Sequence, residues 1–194
     1  MFNNLLHYLK LTLITGLLAG ISYSAYAGPD RPETFHYKVG DRGPGGGWIF
    51  FVDYRDQYPG FTYLEAAPTD IEPVVWCNKT TTSIPATGGW AGRGVGKGKA
   101  NTTAMLGVCS SGAAKAADVY LTATKSDWFL PSQGELMLMY PNLIQAGVGG
   151  FANAFYWSST EFVSNGAWNQ DFVNGYQDSY VKDSTFTVRA IRSF

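Results

Sequence analysis

Charge is scarce in this chain. Lysine, arginine, aspartate and glutamate make up 15% of 194 residues, and they nearly cancel at a net −1. An average domain carries ~25%, and the shortfall excludes a charged disordered tail and a strongly basic nucleic-acid binder. Histidine is scarcer still, at two, so His-based catalysis and metal binding have little material. The apolar run at residues 11–21 falls short of the ~20 residues that span a bilayer. What the chain has in quantity is glycine, at 23 residues, and aromatic rings, at 15% with six tryptophans. A length near 200 suits one domain that buries roughly 70% of its unfolded surface.

The short apolar run has another use. Lys10 is the one side-chain charge ahead of it, and Ala25-Tyr26-Ala27 after it matches a small-x-small cleavage pattern. Residues 1–27 therefore read as a signal peptide, with an uncleaved anchor over 11–27 as the rival. No cysteine stands near the cleavage point to carry a lipid. Residues 28–36 read as a flexible lead-in and 37–194 as one domain. The expected location is exported: periplasmic, outer-surface or secreted. Export bears on Cys77 and Cys109, because an oxidising compartment favours joining an only pair. The alternative, a redox or metal-binding thiol pair, is poorly served by a 32-residue spacing that is neither CxxC nor a zinc pattern.

Along the domain, residues 39–47 combine Asp, Pro and clustered Gly into a turn. Residues 48–53 and 61–66 read as two antiparallel strands around a loop at 54–60, and 73–76 as a short edge strand. Asn101 is placed to cap a helix over 102–108, and Ser110 or Ser111 another over 113–121. Trp128-Phe129-Leu130 reads as a strand ended by Pro131. Ser132-Gln133-Gly134-Glu135 is a capping box opening a helix that Pro141 ends. Residues 155–159, 167–173 and 185–191 read as three more strands, with the Asn174-Gly175 pair turning after the second. Strands, then helices, then strands point to α+β around an antiparallel sheet.

Little here promises catalysis. Ser158, Ser159 and Thr160 lack a base, since the sole histidine after the expected cleavage point, His36, sits in the lead-in. Glu135, Glu161, Asp127 and Asp171 offer carboxylate pairs of the kind hydrolases use, although a capping box accounts for Glu135 and a turn for Asp127. The glycine-rich run 92–99 imitates a phosphate loop, but Gly96-Lys97 is followed by Gly98 and Gly98-Lys99 by Ala100. Neither register supplies the hydroxyl residue, so no nucleotide is expected. Sugar recognition needs an aromatic plate beside paired amides and charges. Trp168, Asn169, Gln170 and Asp171 have that composition, as do Trp90 and Arg93, with Lys97 and Lys99 adding anion attraction. A core or sheet-surface role is the competing reading for each.

The motifs also occur in a familiar order. Val39-Gly40-Asp41 with Gly43-Pro44 and Gly46-Gly47 comes first, then Tyr63-Leu64-Glu65-Ala66-Ala67-Pro68 and Gly98-Lys99-Ala100-Asn101-Thr102. Asp127-Trp128, Leu130-Pro131-Ser132 and Glu135-Leu136 follow, then Tyr156-Trp157-Ser158-Ser159-Thr160-Glu161, Ala167-Trp168 and Val188-Arg189-Ala190-Ile191. This order resembles the Lcl C-terminal domain family, named for a bacterial collagen-like adhesin, over residues 37–194. The resemblance implies an exported or surface-attached domain; in the adhesin it implies binding of sulfated glycosaminoglycan-type polysaccharide and trimeric assembly. This chain has no Gly-X-Y repeat to enforce a trimer. Its basic face is confined to Arg93, Lys97 and Lys99, extended at most by Lys115 and Lys125. The Leu130–Glu135 segment and Val188-Arg189 are also distantly similar to the C-type-lectin-like and formylglycine-generating-enzyme group.

The expectation is a disulfide-stabilised, lectin-like α+β domain with two or three short helices and long Gly-rich loops, not an enzyme. It would bind an extracellular polysaccharide or a cell-surface partner, with no cofactor, metal, nucleotide or nucleic acid, and oligomerisation left open. A surface assembly module without a small ligand is the first alternative. A formylglycine-generating-like oxidase or glycan hydrolase is the second.

Overall fold

The computed structural model describes residues 36–194. Residues 1–27, read as a signal peptide, and nearly all of the expected lead-in lie outside the described residues. The elements are β1 (Trp48–Val52), β2 (Tyr63–Ala66), β3 (Ile71–Val75), α1 (Gly89–Arg93), α2 (Gly98–Leu106), α3 (Ala113–Asp118) and α4 (Gln133–Met139). They continue with β4 (Phe155–Val163), β5 (Gly166–Asp171), β6 (Gln177–Val181), β7 (Thr185–Val188) and β8 (Ile191–Ser193). A 3₁₀ turn at Pro85–Thr87 precedes α1, and a π turn at Tyr140–Ile144 follows α4.

Two sheets carry the fold: a three-stranded one in the order β1-β2-β8 and a five-stranded one in the order β3-β7-β4-β5-β6. All pairings are antiparallel except β4 with β7. The class is α+β with an antiparallel and a mixed sheet, short helices and one disulfide, Cys77–Cys109. That crosslink fastens the segment after β3 to the end of α2, in a core formed with Trp76, Met105, Ala113, Ala114 and Ala117. A second core gathers Phe50, Leu64, Leu136, Met139, Tyr156 and Phe172.

Several elements differ from the expectation, each for a local reason. The described helices number four plus the two short turns, not two or three. The stretch read as one strand over 185–191 is two, β7 and β8, in different sheets. Between them Arg189 is fully buried, donating to the carbonyls of Ala67 and Gly149 and pairing with Asp70 at 2.7 Å. The chain crosses from sheet to sheet there. Helix α2 starts at Gly98, with Asn101 inside it. The Asn101 amide turns inward to the Gly92 carbonyl (2.7 Å) and Ser159 Oγ (3.1 Å) instead of capping. Helix α3 ends at Asp118 and is preceded by Gly112 at φ +120°, so neither Ser110 nor Ser111 is its N-cap. Residues 128–130 contribute a single bridge, Phe129 to Ile191, and β6 was unforeseen.

The capping box forms as read. Ser132 Oγ accepts the Glu135 amide at 3.2 Å and Glu135 Oε2 accepts the Ser132 amide at 2.7 Å. Pro141 stands near the start of the π turn, where the helix runs on from α4 without a break; lacking an amide it can make no i→i−4 bond, and α4 widens into the π turn there.

Candidate functional site

Helix α1 is short, and its neighbours fix it. The Gly92 carbonyl accepts both the Asn101 amide and Thr160 Oγ1, at 2.7 and 3.0 Å. A side chain at Gly92 would strike the Thr87 carbonyl. This anchorage holds Trp90 outward, 90% exposed. On the same helix Arg93 lies 5.6 Å from the Trp90 ring centre and 4.4 Å from that of Trp168 on β5. Trp168 in turn packs edge-on against Phe162 at 5.2 Å.

Amides complete the arrangement. Arg93 Nε donates to Gln133 Oε1 at 2.5 Å, and Gln133 Nε2 to Gln177 Oε1 at 3.0 Å. Gln177 Nε2 returns a bond to the Gln133 carbonyl at 2.9 Å and reaches Gln170 Oε1 at 3.3 Å. Among the described residues Arg93 has no carboxylate partner, and its terminal nitrogens donate to nothing. These groups border a groove of about 410 Å³, walled by Trp90, Arg93, Val95, Gln133, Met137, Leu138 and Gln177. Its surface is mainly apolar, with Met137 half exposed. Such a trough accepts a flat apolar face over the indole and hydroxyl or carboxylate groups along the amide and guanidinium edge.

The sequence candidates separate on this geometry. Trp90 and Arg93 line the groove, while Trp168 lies under Arg93 and Gln170 is buried behind Gln177, neither of them in its wall. Asn169 is buried too; its Nδ2 donates to the Asp178 carbonyl, and its Oδ1 has no partner among the described residues. Asp171 shapes the turn after β5, accepting the Val173 amide and the Asn174 side chain. Lys97 and Lys99 are exposed and neither lines the groove, although Lys97 lies beside Gly94, which does. Lys99 borders a separate cavity of about 210 Å³ with Phe61, Phe129 and Glu135. Gln133, Gln177 and Met137 were missed. Gln133 stood inside a motif already explained by capping, and Gln177 opens the strand that went unread.

The suspected acids and hydroxyls have partners of their own. Glu135 accepts the amides of Gly96 and Ser132, and burial pushes its carboxyl up to about 7. Glu161 meets the Lys182 ammonium at 2.5 Å and accepts the Ile84 amide and Ser83 hydroxyl. The hydrogen-bonded Arg192 guanidinium holds Asp127 below the usual carboxylate range. Ser158 Oγ donates to the Trp168 carbonyl, and Ser159 Oγ takes the Asn101 amide. No helix among the described residues is long and apolar enough to cross a membrane.

Neither protein-family models nor curated proteins match this sequence. Among solved structures the chain is similar to a fimbrial protein from Bacteroides ovatus ATCC 8483, with a TM-score of 0.54 and 16% identity over 76% of this chain. The likeness is one of fold, and the chain spans 44% of the fimbrial protein's length.

Proposed function

We propose that this chain is an exported, non-catalytic surface module, lectin-like in fold and akin to Lcl C-terminal domains, that holds an extracellular glycan in the Trp90 groove. The observation that carries this reading is Trp90 itself. An indole 90% exposed on an anchored helix, beside a trough edged by Gln133, Gln177 and Arg93, presents a stacking plate with polar partners in reach. Leaving that ring in water forgoes roughly 25 cal/mol for each Å² of apolar surface, so a covering ligand gains from it directly. The disulfide supports export, since such bonds persist in oxidising compartments. The occupation of Glu135, Glu161 and Asp127 in structural bonds supports a binding role over hydrolysis, and the Cys77–Cys109 crosslink leaves no thiol for oxidase chemistry.

A glycan array at two salt concentrations tests the proposal. Binding that Trp90→Ala abolishes, that Lys97→Ala leaves intact and that weakens only mildly with salt is the expected result. A blank array, or full binding by Trp90→Ala, overturns it. The fold shared with a fimbrial protein favours a second reading, a surface assembly module without a small ligand. A blank array together with incorporation of the chain into a surface polymer would support that one.

A further inference from the structure

We propose that β6 is a self-association edge, at which two copies of this chain pair antiparallel through residues 177–181 about a two-fold axis at Ser179. The five-stranded sheet has two open edges, and they are built differently. Strand β3 carries Pro73 at its middle, and its register with β7 shifts between Ile71 and Val74. Both features keep an edge from pairing. Strand β6 has neither. It runs against β5 in unbroken register from Gly166 opposite Val181 to Gln170 opposite Gln177, without proline or lysine.

The bonds beyond its ends fix which groups face outward. The Asp171 amide donates to the Tyr176 carbonyl and the Lys182 amide to the Asn165 carbonyl, both at 2.9 Å. Hydrogen-bonded pairs alternate along an antiparallel ladder. Asp178 and Tyr180 therefore bond to β5, while Gln177, Ser179 and Val181 direct their amides and carbonyls away from the sheet. Two of these outward groups are occupied. The Ser179 amide donates to Asp178 Oδ1 at 2.7 Å, and the Val181 carbonyl accepts the Ser184 amide at 3.0 Å. The amide and carbonyl of Gln177, the Ser179 carbonyl and the Val181 amide have no partner among the described residues.

A second copy fits that row. With the axis at Ser179, Gln177 lies opposite the partner's Val181 and Ser179 opposite the partner's Ser179, so outward groups meet outward groups. Asp178 then lies opposite the partner's Tyr180 on the same sheet face. The carboxylate exchanges its contact with the Ser179 amide for a phenol, and no like charges oppose. Tyr180 and Val181 are about half exposed, and Tyr180 already packs on Phe155 and Phe186, so pairing also covers apolar surface. A five-residue ladder buries less than the ~1,200 Å² of a stable interface, and the dimer is accordingly weak and concentration-dependent. The inference does not depend on glycan binding.

Sedimentation velocity of the exported chain from micromolar to millimolar concentration is the test. The expected result is a monomer that shifts to a dimer, and a dimer that Ser179→Pro abolishes. Proline there removes an outward amide and its bond to Asp178 Oδ1 but no bond to β5, so the β5 ladder and the circular dichroism stay as in the parent and the melting temperature falls only slightly. Should that variant fold poorly, Tyr180→Asp sets carboxylates opposite the partner's Asp178 and is expected to give monomer at every concentration. A monomer throughout, a trimer, or a dimer indifferent to the folded variants overturns the proposal.

Discussion

Glu135 accepts the Gly96 amide at 2.8 Å, tying the first turn of α4 to a loop 39 positions earlier in the chain. The same carboxylate caps its own helix through Ser132, while Ser132 Oγ donates to the Gly94 carbonyl at 2.7 Å. A full side chain at Gly98 would fall 2.2 Å from Glu135 Oε2. The loop between α1 and α2 is therefore moulded around one buried acid.

Burial raises the Glu135 carboxyl from 4.5 to about 7, so the folded chain holds this proton more tightly than the unfolded chain. The stabilisation from that proton is complete below the unfolded value and is lost as pH rises toward 7, on the order of 3 kcal/mol over the window. Asp127, lowered by its hydrogen bond to Arg192, acts oppositely in a lower window; its contribution is present above 3.8 and is lost as pH falls through its depressed folded value. Urea unfolding is expected to show stability declining from pH 4.5 to 7, and Glu135→Gln is expected to flatten that slope. An unchanged slope in the variant would assign it to other groups.

Trp90 and Trp168 share one guanidinium but should answer to truncation differently. Trp90 is 90% exposed, and Trp90→Ala is expected to leave stability within about 0.5 kcal/mol while removing ligand binding. Trp168 lies under Arg93 and against Phe162, so Trp168→Ala loses a cation–π contact and ring packing together, roughly 1–3 kcal/mol. Paired thermal melts and binding assays separate the two. Equal destabilisation by both would mean that Trp90 is structural.

How far the sequence disclosed this follows from range. The Ser132–Glu135 capping box was legible because its two bonds lie within three residues of each other. The disulfide was legible because one pair of cysteines leaves one pairing. The turn at 39–47 was read as a set of special backbone angles, yet its glycines have a further reason: the Gly45 and Gly47 amides donate to the Glu65 carboxylate at 3.0 and 2.7 Å, and a side chain at Gly47 would strike the Ala66 carbonyl. Glu65 lies in a strand far enough along that no local pattern links them. The groove was half legible. Trp90 and Arg93 stand out by composition, but Gln133 and Gln177 meet only because β6 lies beside α4, and β6's polar, exposed residues carry little apolar alternation.

Cys77 and Cys109 close a 32-residue loop between β3 and α2, and the crosslink sits in a core of small alanine faces. On the loop-entropy account, opening it costs about 3–4 kcal/mol. Thiol titration of the unfolded chain, produced in an oxidising compartment, is expected to find no free sulfhydryl. Cys77→Ser/Cys109→Ser is expected to unfold at lower denaturant with the Trp90 groove still competent wherever it remains folded. Retained stability in the double variant would contradict the crosslink's role.

Lys182 and Glu161 form a deeply buried ion pair, with side chains 0% and 5% exposed. The ammonium also donates to the Thr82 carbonyl at 2.9 Å and lies 4.6 Å from the Trp76 ring centre. Glu161 in turn holds the Ile84 amide, and Ile84 immediately precedes the turn that leads into α1 and Trp90. Removing one partner strands the other charge in a dry site, which costs about 3–5 kcal/mol, whereas removing both is far milder. Lys182→Met is therefore expected to destabilise strongly, and Lys182→Met/Glu161→Gln to recover most of the loss. The Ile84 amide keeps a carbonyl acceptor in that double variant, so the α1 anchorage and ligand binding should return with it. Calorimetric melts of the two single variants and the double variant measure the coupling. Additive losses would show that the pair does not act as a unit.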